Sequence, residues 1–542
     1  MTAGPGGSHA LPAEAFAALA RGGGGAAAAG HLRASERGRH MLLILGVVEA
    51  ARRAGHPHAG AAERAYAALA ALERVAPAAV DTLIRYPAVG AWARATAGAL
   101  LRGTDATGLG GTGATGLGGT GAAAVREAGA TGLVEAGATG LVEVGAAAPR
   151  GAGAAEWGGH DPARLGAMAA AAALRAGLPY EGEAPVAAGH LTLPSLGRLA
   201  VPGEDGLVRL TVRPGGRVTA GPAEVTVTHV TVTDVTVTEM TAAEMTAGET
   251  TAAGTSAGEI AAAGVGVAET VGRWRGTVPG ADADSPAWRG LHRLTAEAGG
   301  RRLTVLLDDL DPYRWPAGSV RRGPLPGPER EALAARLRDA WRLLQAGHRT
   351  LAEETAAIVT VLTPIDAPEH DRTRSASSGD HFGTLALSAP PDGLWLAGTF
   401  AHEVQHAKLG ALLTLVPLLR PDDGRRFYAP WRDDPRPAHG LLHGAYAFLG
   451  VTGFWRRQRR LLEDEEDRFR AEVEFARWRE AAYEATGTLA ASGLLTEAGE
   501  AFVAGMRGTL EGWLKEPARE RADAAARHES ARHRARWNTA HS

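Results

Sequence analysis

The sequence predicts an α+β fold, mostly helical, in which a helical N-terminal domain precedes a mixed α/β domain carrying an HExxH helix. Three observations carry that expectation. Apolar residues recur at helical spacing through residues 12–102, short alternating stretches broken by Pro and Gly run from 157 to 225, and helical patterns dominate again beyond Gly383. Glycine, 73 of 542 residues, is about twice its usual share of roughly 7 % and clusters in tracts that interrupt the pattern. The chain therefore divides into a helical domain (1–102), a Gly-rich octad-repeat insertion (103–156), the first part of the HExxH-type domain (157–225), a Thr-rich pentad-repeat insertion (226–265), the metal-binding catalytic domain (266–520) and a C-terminal tail (521–542).

Each element follows from local pattern. In the first domain AEAFAALA, GRHMLLILGVVEAARRAG, AERAYAALAALERVA and, after Pro87, AVGAWARATAGALLRG all space their apolar residues for helices. Residues 106–113 (ATGLGGTG) recur at 114–121, and GATGLVEA at 129–136 is followed by GATGLVEV. These units lack a recurrent large apolar residue to fill a solenoid core, so they are insertions without a packed fold. The same holds for the pentads from Thr226 to Ile260. Between the tracts, ARLGAMAAAAALRAG is a helix, and GHLTLPSLGRLAV and LVRLTV are strands. RRLTVLLDDLDPYRWP is a strand ending in a turn, and residues 328–365 form one long helix leading into a buried segment. GTLALS is a strand, APPDG a turn, and a buried helix starts near Gly393. Further helices are expected at 438–450, 453–484 and 498–515.

Composition excludes several functions. With 57 basic against 60 acidic side chains and a net charge of −3, the chain lacks the electrostatic footprint of a nucleic-acid binder or a polybasic membrane protein. It has no cysteine, which removes disulfides, thiol nucleophiles, Cys-ligated zinc, iron–sulfur clusters and hence radical-SAM chemistry. Any metal must sit on His, Asp or Glu. The start lacks a signal-peptide pattern and the longest apolar stretches fall short of the roughly 20 residues that span a bilayer, so a soluble cytoplasmic protein is expected.

One motif can carry chemistry: His402-Glu403-Val404-Gln405-His406. Residues four apart on a helix share a face, so both imidazoles can point at one ion with Glu403 beside it. Trp395, Leu396, Phe400, Leu409, Leu412, Leu413 and Leu415 flank the motif, which implies a buried helix whose polar triad needs a partner. The strand Gly383–Ser388 just upstream is placed to hold an extended peptide by strand addition. The metzincin extension is absent, because Leu409 and Leu412 occupy its Gly and His places. A third ligand could be Glu463, Glu465 or Glu466, although that run reads better as a solvated helix face. His443, in the apolar stretch AHGLLHGAYAFLGV, is the better candidate, with His439 one turn earlier competing. Arg432 and Arg436, in Trp431-Arg432-Asp433-Asp434-Pro435-Arg436-Pro437, either clamp a carboxylate or form salt bridges to Asp433 and Asp434. From these residues alone the first reading is a zinc hydrolase with Glu403 as general base.

Several segments resemble the HExxH-motif peptide-modification proteins of actinobacteria, 2-oxoglutarate-dependent peptide β-hydroxylases found alone or fused to radical-SAM maturases of the FxsB type. They are LTLPSLG (191–197), LLDDLDPYRWP (306–316), SASSGDHFGTLALSAP (375–390), AHEVQHAKLGALLTLVPL (401–418) and YAPWRDDPRPAHGLLHGAYAFLGVTGFWR (428–456). The N-terminal LPAEAFAALARGGGG and HLRASERGRHMLLILGVVEAA are similar to the start of the stand-alone members. The resemblance implies an Fe(II) centre on His402, His406 and His443 that uses 2-oxoglutarate and O2 to hydroxylate a side-chain β-carbon in a ribosomal precursor peptide. It makes Arg436, or else Arg432, the anchor for the 2-oxoglutarate carboxylate, and leaves Glu403 a positioning role. Any radical-SAM partner must be a separate protein. Three histidines also resemble a zinc site, since oxygenases commonly use two His and a carboxylate, so zinc is the alternative metal and a peptidase or a peptide-binding scaffold the alternative function.

Overall fold

The computed structural model describes residues 11–107, 160–227, 238–239, 275–278, 284–316, 320–366 and 373–541. Both repeat tracts lie almost wholly outside these residues. The chain is α+β and mostly helical, with thirteen helices and three sheets among the described residues.

The helices of the first hundred residues are α1 (Ala13–Ala20), α2 (Gly25–Arg53), α3 (Ala59–Val75), α4 (Pro77–Ile84) and α5 (Pro87–Thr107). Proline opens both α4 and α5, where a missing N–H costs nothing. The second buried group, α6 (Arg164–Ala176), ends at Gly177 in the left-handed conformation that lacks a steric penalty only for glycine. Strands β1 (Tyr180–Val186), β4 (Gly206–Arg213), β5 (Arg217–Ala220), β6 (Ala223–Val227) and β8 (Arg275–Val278) form one sheet, and β2 (His190–Leu193), β3 (Gly197–Ala200) and β9 (Trp288–Gly290) another. One apolar core joins α3, α4 and α6 to these sheets. A second unites α1 and the start of α2 with the HExxH region, so apolar packing cuts across the boundary read from the sequence.

The third sheet positions the site. Its strands β10 (His292–Ala298), β11 (Arg301–Leu307), β12 (Val361–Pro364), β14 (Thr384–Leu387) and β13 (Ser375–Ala376) lie in that order, with β7 (Thr238–Glu239) also on β11. β11, β12 and β14 run parallel, whereas β13 pairs antiparallel with β14, Ser375 opposite Leu387. After β11 the DDLD turn folds on itself: Asp308 Oδ1 accepts from the N–H groups of Leu310 (3.1 Å) and Asp311 (2.9 Å). Arg164 clamps the Asp311 carboxylate at 2.8 and 2.7 Å, and Tyr86 donates to Asp308. Burial beside Asp311 pushes the Asp308 carboxyl up to about 7.

The long helix expected over 328–365 is two helices, α7 (Gly327–Gly347) and α8 (Arg349–Ile358), followed by β12. The break falls at His348, whose ring stacks on Phe454 at 4.6 Å with its Nε2 3.0 Å from Gln458 Oε1, contacts a straight helix would forfeit. Beyond β14 come α9 (Gly393–Leu413), α10 (Ala438–Gln458), α11 (Glu465–Ala491), α12 (Glu497–Leu514) and α13 (Glu520–His541). Asp392 caps α9, accepting from Trp395 N–H at 2.6 Å. The expected stop near 450 is absent. α10 continues because Gly450 is a contact residue there: a Cβ on it would stand 2.4 Å from the Ala401 carbonyl oxygen on α9. The segment read as a tail is helix α13, which packs along α11. No helix among the described residues is long and apolar enough to cross a membrane.

Candidate metal centre

Helix α9 is buried along nearly its whole length, including His402, Glu403 and His406. Its one-turn spacing brings His402 Nε2 and His406 Nε2 to 3.1 Å. Helix α10 lies beside it and presents His443 from an equally buried position, with Nδ1 3.4 Å from His406 Nδ1 and the two rings stacked at 5.6 Å. His439 follows one turn away, its ring centroid 4.6 Å from that of His443. The histidines thus form a row of four, ordered 402, 406, 443, 439.

Burial lowers the His402 and His443 rings well below the ordinary histidine range, and the neighbouring His406 adds to the effect on both. Neutral imidazole is the form that binds metal. Two ligand nitrogens each about 2.1 Å from one ion and about 95° apart stand about 3.1 Å from each other, which is the His402–His406 spacing. The same distance accommodates one shared proton. His402 Nδ1 is buried without a hydrogen-bond partner among the described residues. The third histidine is adjacent but not aimed: His443 meets the opposite ring nitrogen of His406, and no group of three or more His, Asp or Glu converges for a metal among the described residues. The donor set as placed therefore fits a metal on two histidines, His402 and His406, with His443 packed against the far side of the His406 ring.

Glu403 Oε1 accepts from Ser375 Oγ at 2.8 Å, on strand β13. Ser375 was not singled out by residue chemistry, although its segment SASSGD was noted. β13 also corrects the strand-addition expectation. β14 is not an open edge: β12 flanks it on one side and β13 on the other, and all four of its residues are buried. An incoming peptide finds that place taken by Ser375 and Ala376. Phe448 closes the cluster, edge-on to His402 at 5.3 Å and stacked on Trp431 at 4.9 Å.

Both arginines turn to Asp434. Arg432 Nε donates to Oδ1 at 2.6 Å and Arg436 NH1 to Oδ2 at 3.1 Å, while Asp433 faces His533 at 3.6 Å. Burial works to raise the Asp434 carboxyl, but these two bonds outweigh it and hold the group below its ordinary value. Arg436 differs from Arg432 in position. Its guanidinium lies on the first turn of α10, where a Cβ on Gly440 would meet Arg436 Nε at 3.0 Å, and its charge acts on both His439 and His443. Its Nε is buried and has no hydrogen-bond partner among the described residues. The acidic run Glu463, Glu465, Glu466 sits apart from the cluster at the start of α11, where Asp464 caps the helix and Glu465 pairs with Arg519. Compared with known protein families and with curated proteins, the chain matches neither.

Proposed function

We propose that the chain is an Fe(II)- and 2-oxoglutarate-dependent oxygenase that hydroxylates a side-chain β-carbon in a ribosomally made peptide. The observation that supports this best is the placement of Arg436, a nearly buried guanidinium with an open donor beside the imidazole row. A co-substrate with a free carboxylate calls for such a cation. His402, His406 and His443 would hold the metal, which supplies oxygen activation when bound. Arg436 binds and orients the distal carboxylate, Asp434 holds the guanidinium in place, and Phe448 and Trp431 exclude water from the inner side of the row. Ser375 fixes the Glu403 carboxylate, which orients its neighbours on α9.

The test is an anaerobic titration of the Fe(II)-loaded chain with 2-oxoglutarate, read by the visible charge-transfer band of the chelate. A saturable band is expected, lost in His402→Ala and His443→Ala and shifted to about tenfold higher 2-oxoglutarate in Arg436→Gln. The HExxH pair with an adjacent carboxylate also suits a zinc peptidase. Peptide cleavage that Glu403→Ala abolishes and 2-oxoglutarate does not affect, with no band, would replace the oxygenase reading by that one.

A further inference from the structure

A cavity of about 270 Å3 opens where the start of β10, the turn after β11 and the first turn of α7 meet. Arg289, His292, Asp284, Asp309, Leu325 and Arg330 are among the residues that line it. Its carboxylates are already engaged. Asp309 Oδ2 accepts from the Leu325 N–H at 2.7 Å, and Asp284 accepts from the Gly290 N–H at 3.2 Å with its other oxygen 3.5 Å from His292 Nε2. Its guanidiniums are not engaged: among the described residues, neither Arg289 nor Arg330 makes a side-chain hydrogen bond or ion pair. Nearby, Arg321 pairs with Glu329, just before and within the same first turn, so that acid is not available to Arg330 alone. Two unpaired arginines facing one concavity, beside acids that are consumed by backbone and imidazole, leave a local excess of donors. Each guanidinium presents a planar fork that matches a carboxylate or phosphate group through two parallel bonds.

We propose that this cavity binds a small anion bearing a phosphate or carboxylate group, held between Arg289 and Arg330. None of its lining residues belongs to the imidazole row, so the site stands or falls independently of the oxygenase reading.

The full chain is titrated with inorganic phosphate and, separately, with succinate, following heat of binding and Tm. Saturable binding of one of them is expected, and the one that binds names the ligand class. Arg289→Gln combined with Arg330→Gln should weaken it at least about tenfold, while Arg322→Gln, exposed and outside the cavity, leaves it unchanged. Because neither lining arginine has a partner among the described residues, the double variant should keep the unliganded Tm, so that lost binding is separable from lost folding. No saturable binding of either anion, or binding the double substitution does not weaken, overturns the proposal.

Discussion

Glu474 is a carboxyl group sealed inside the packing of α11, with its Oε2 accepting from Trp478 Nε1 at 2.5 Å, and Trp478 in turn stands against Phe448 at 4.2 Å. Burial pushes its pKa from 4.5 up to about 7, partly offset by the Arg477 guanidinium. Between those values the folded chain keeps a proton that the unfolded chain has released. Stability from this group is therefore complete below pH 4.5, declines as pH rises, and levels off above 7. Glu474→Gln keeps an acceptor for Trp478 and removes the decline. The variant should gain on the wild type by about 3 kcal/mol between pH 4.5 and 7.5 in urea unfolding. A difference that does not change with pH would mean that the carboxyl stays ionised inside the protein. At this same scale the sequence was partly legible. The HExxH spacing placed His402 and His406 on one face because helix geometry alone decides it. The orientation of His443 was not legible, because it depends on how α9 and α10 cross.

At the scale of elements, glycines tell packing apart from punctuation. Gly450 on α10 and Gly398 on α9 both interrupt apolar helical patterns, yet their surroundings differ. A Cβ at Gly450 would stand 2.4 Å from the Ala401 carbonyl oxygen and 2.5 Å from Gln405 Cγ, whereas one at Gly398 would meet only Phe454, at 3.7 Å. Gly450→Ala must separate two buried helices, an overpacking cost of about 1–3 kcal/mol. Gly398→Ala fits the space and gains helix propensity, about 1 kcal/mol of stabilisation. Thermal unfolding of the two variants should move in opposite directions, and Gly450→Ala should also weaken metal binding, since Gln405 precedes His406. If both variants stabilise, the helices can part without loss and Gly450 is only a weak point in α10. Helix α10 runs on past the boundary expected at 450, and the glycine there serves the close approach of α9. The long-range pairing of β13 with β14 was illegible for a related reason: two residues carry no alternation of their own.

Across the whole molecule, the N-terminal glycine run RGGGG binds the motif helix from 386 residues away. Lys408 is buried on α9 and donates to the carbonyls of Gly22 and Gly23, each at 3.2 Å, while pairing with Glu354 on α8 at 3.0 Å. Gln405 also donates to the Gly22 carbonyl, the Gly25 N–H donates to Glu354, and Tyr446 on α10 donates to the Leu19 carbonyl. Gly22, with φ of +84°, lies where a Cβ would collide with Leu449, so only glycine serves at this turn. The arrangement joins α1, α8, α9 and α10 at one buried ion pair. Removing one partner leaves the other charge without compensation, so Lys408→Met should cost about 3–5 kcal/mol. Adding Glu354→Met should return at least half of that, because a buried charge, rather than lost packing, is the source of the cost. Freeing the turn also exposes the bond after Arg21 to trypsin, so cleavage there should accelerate in Lys408→Met and slow again in the double variant. Additive losses, with Arg21 no more readily cut than in the wild type, would show instead that apolar packing of α1 alone holds the N-terminus in place.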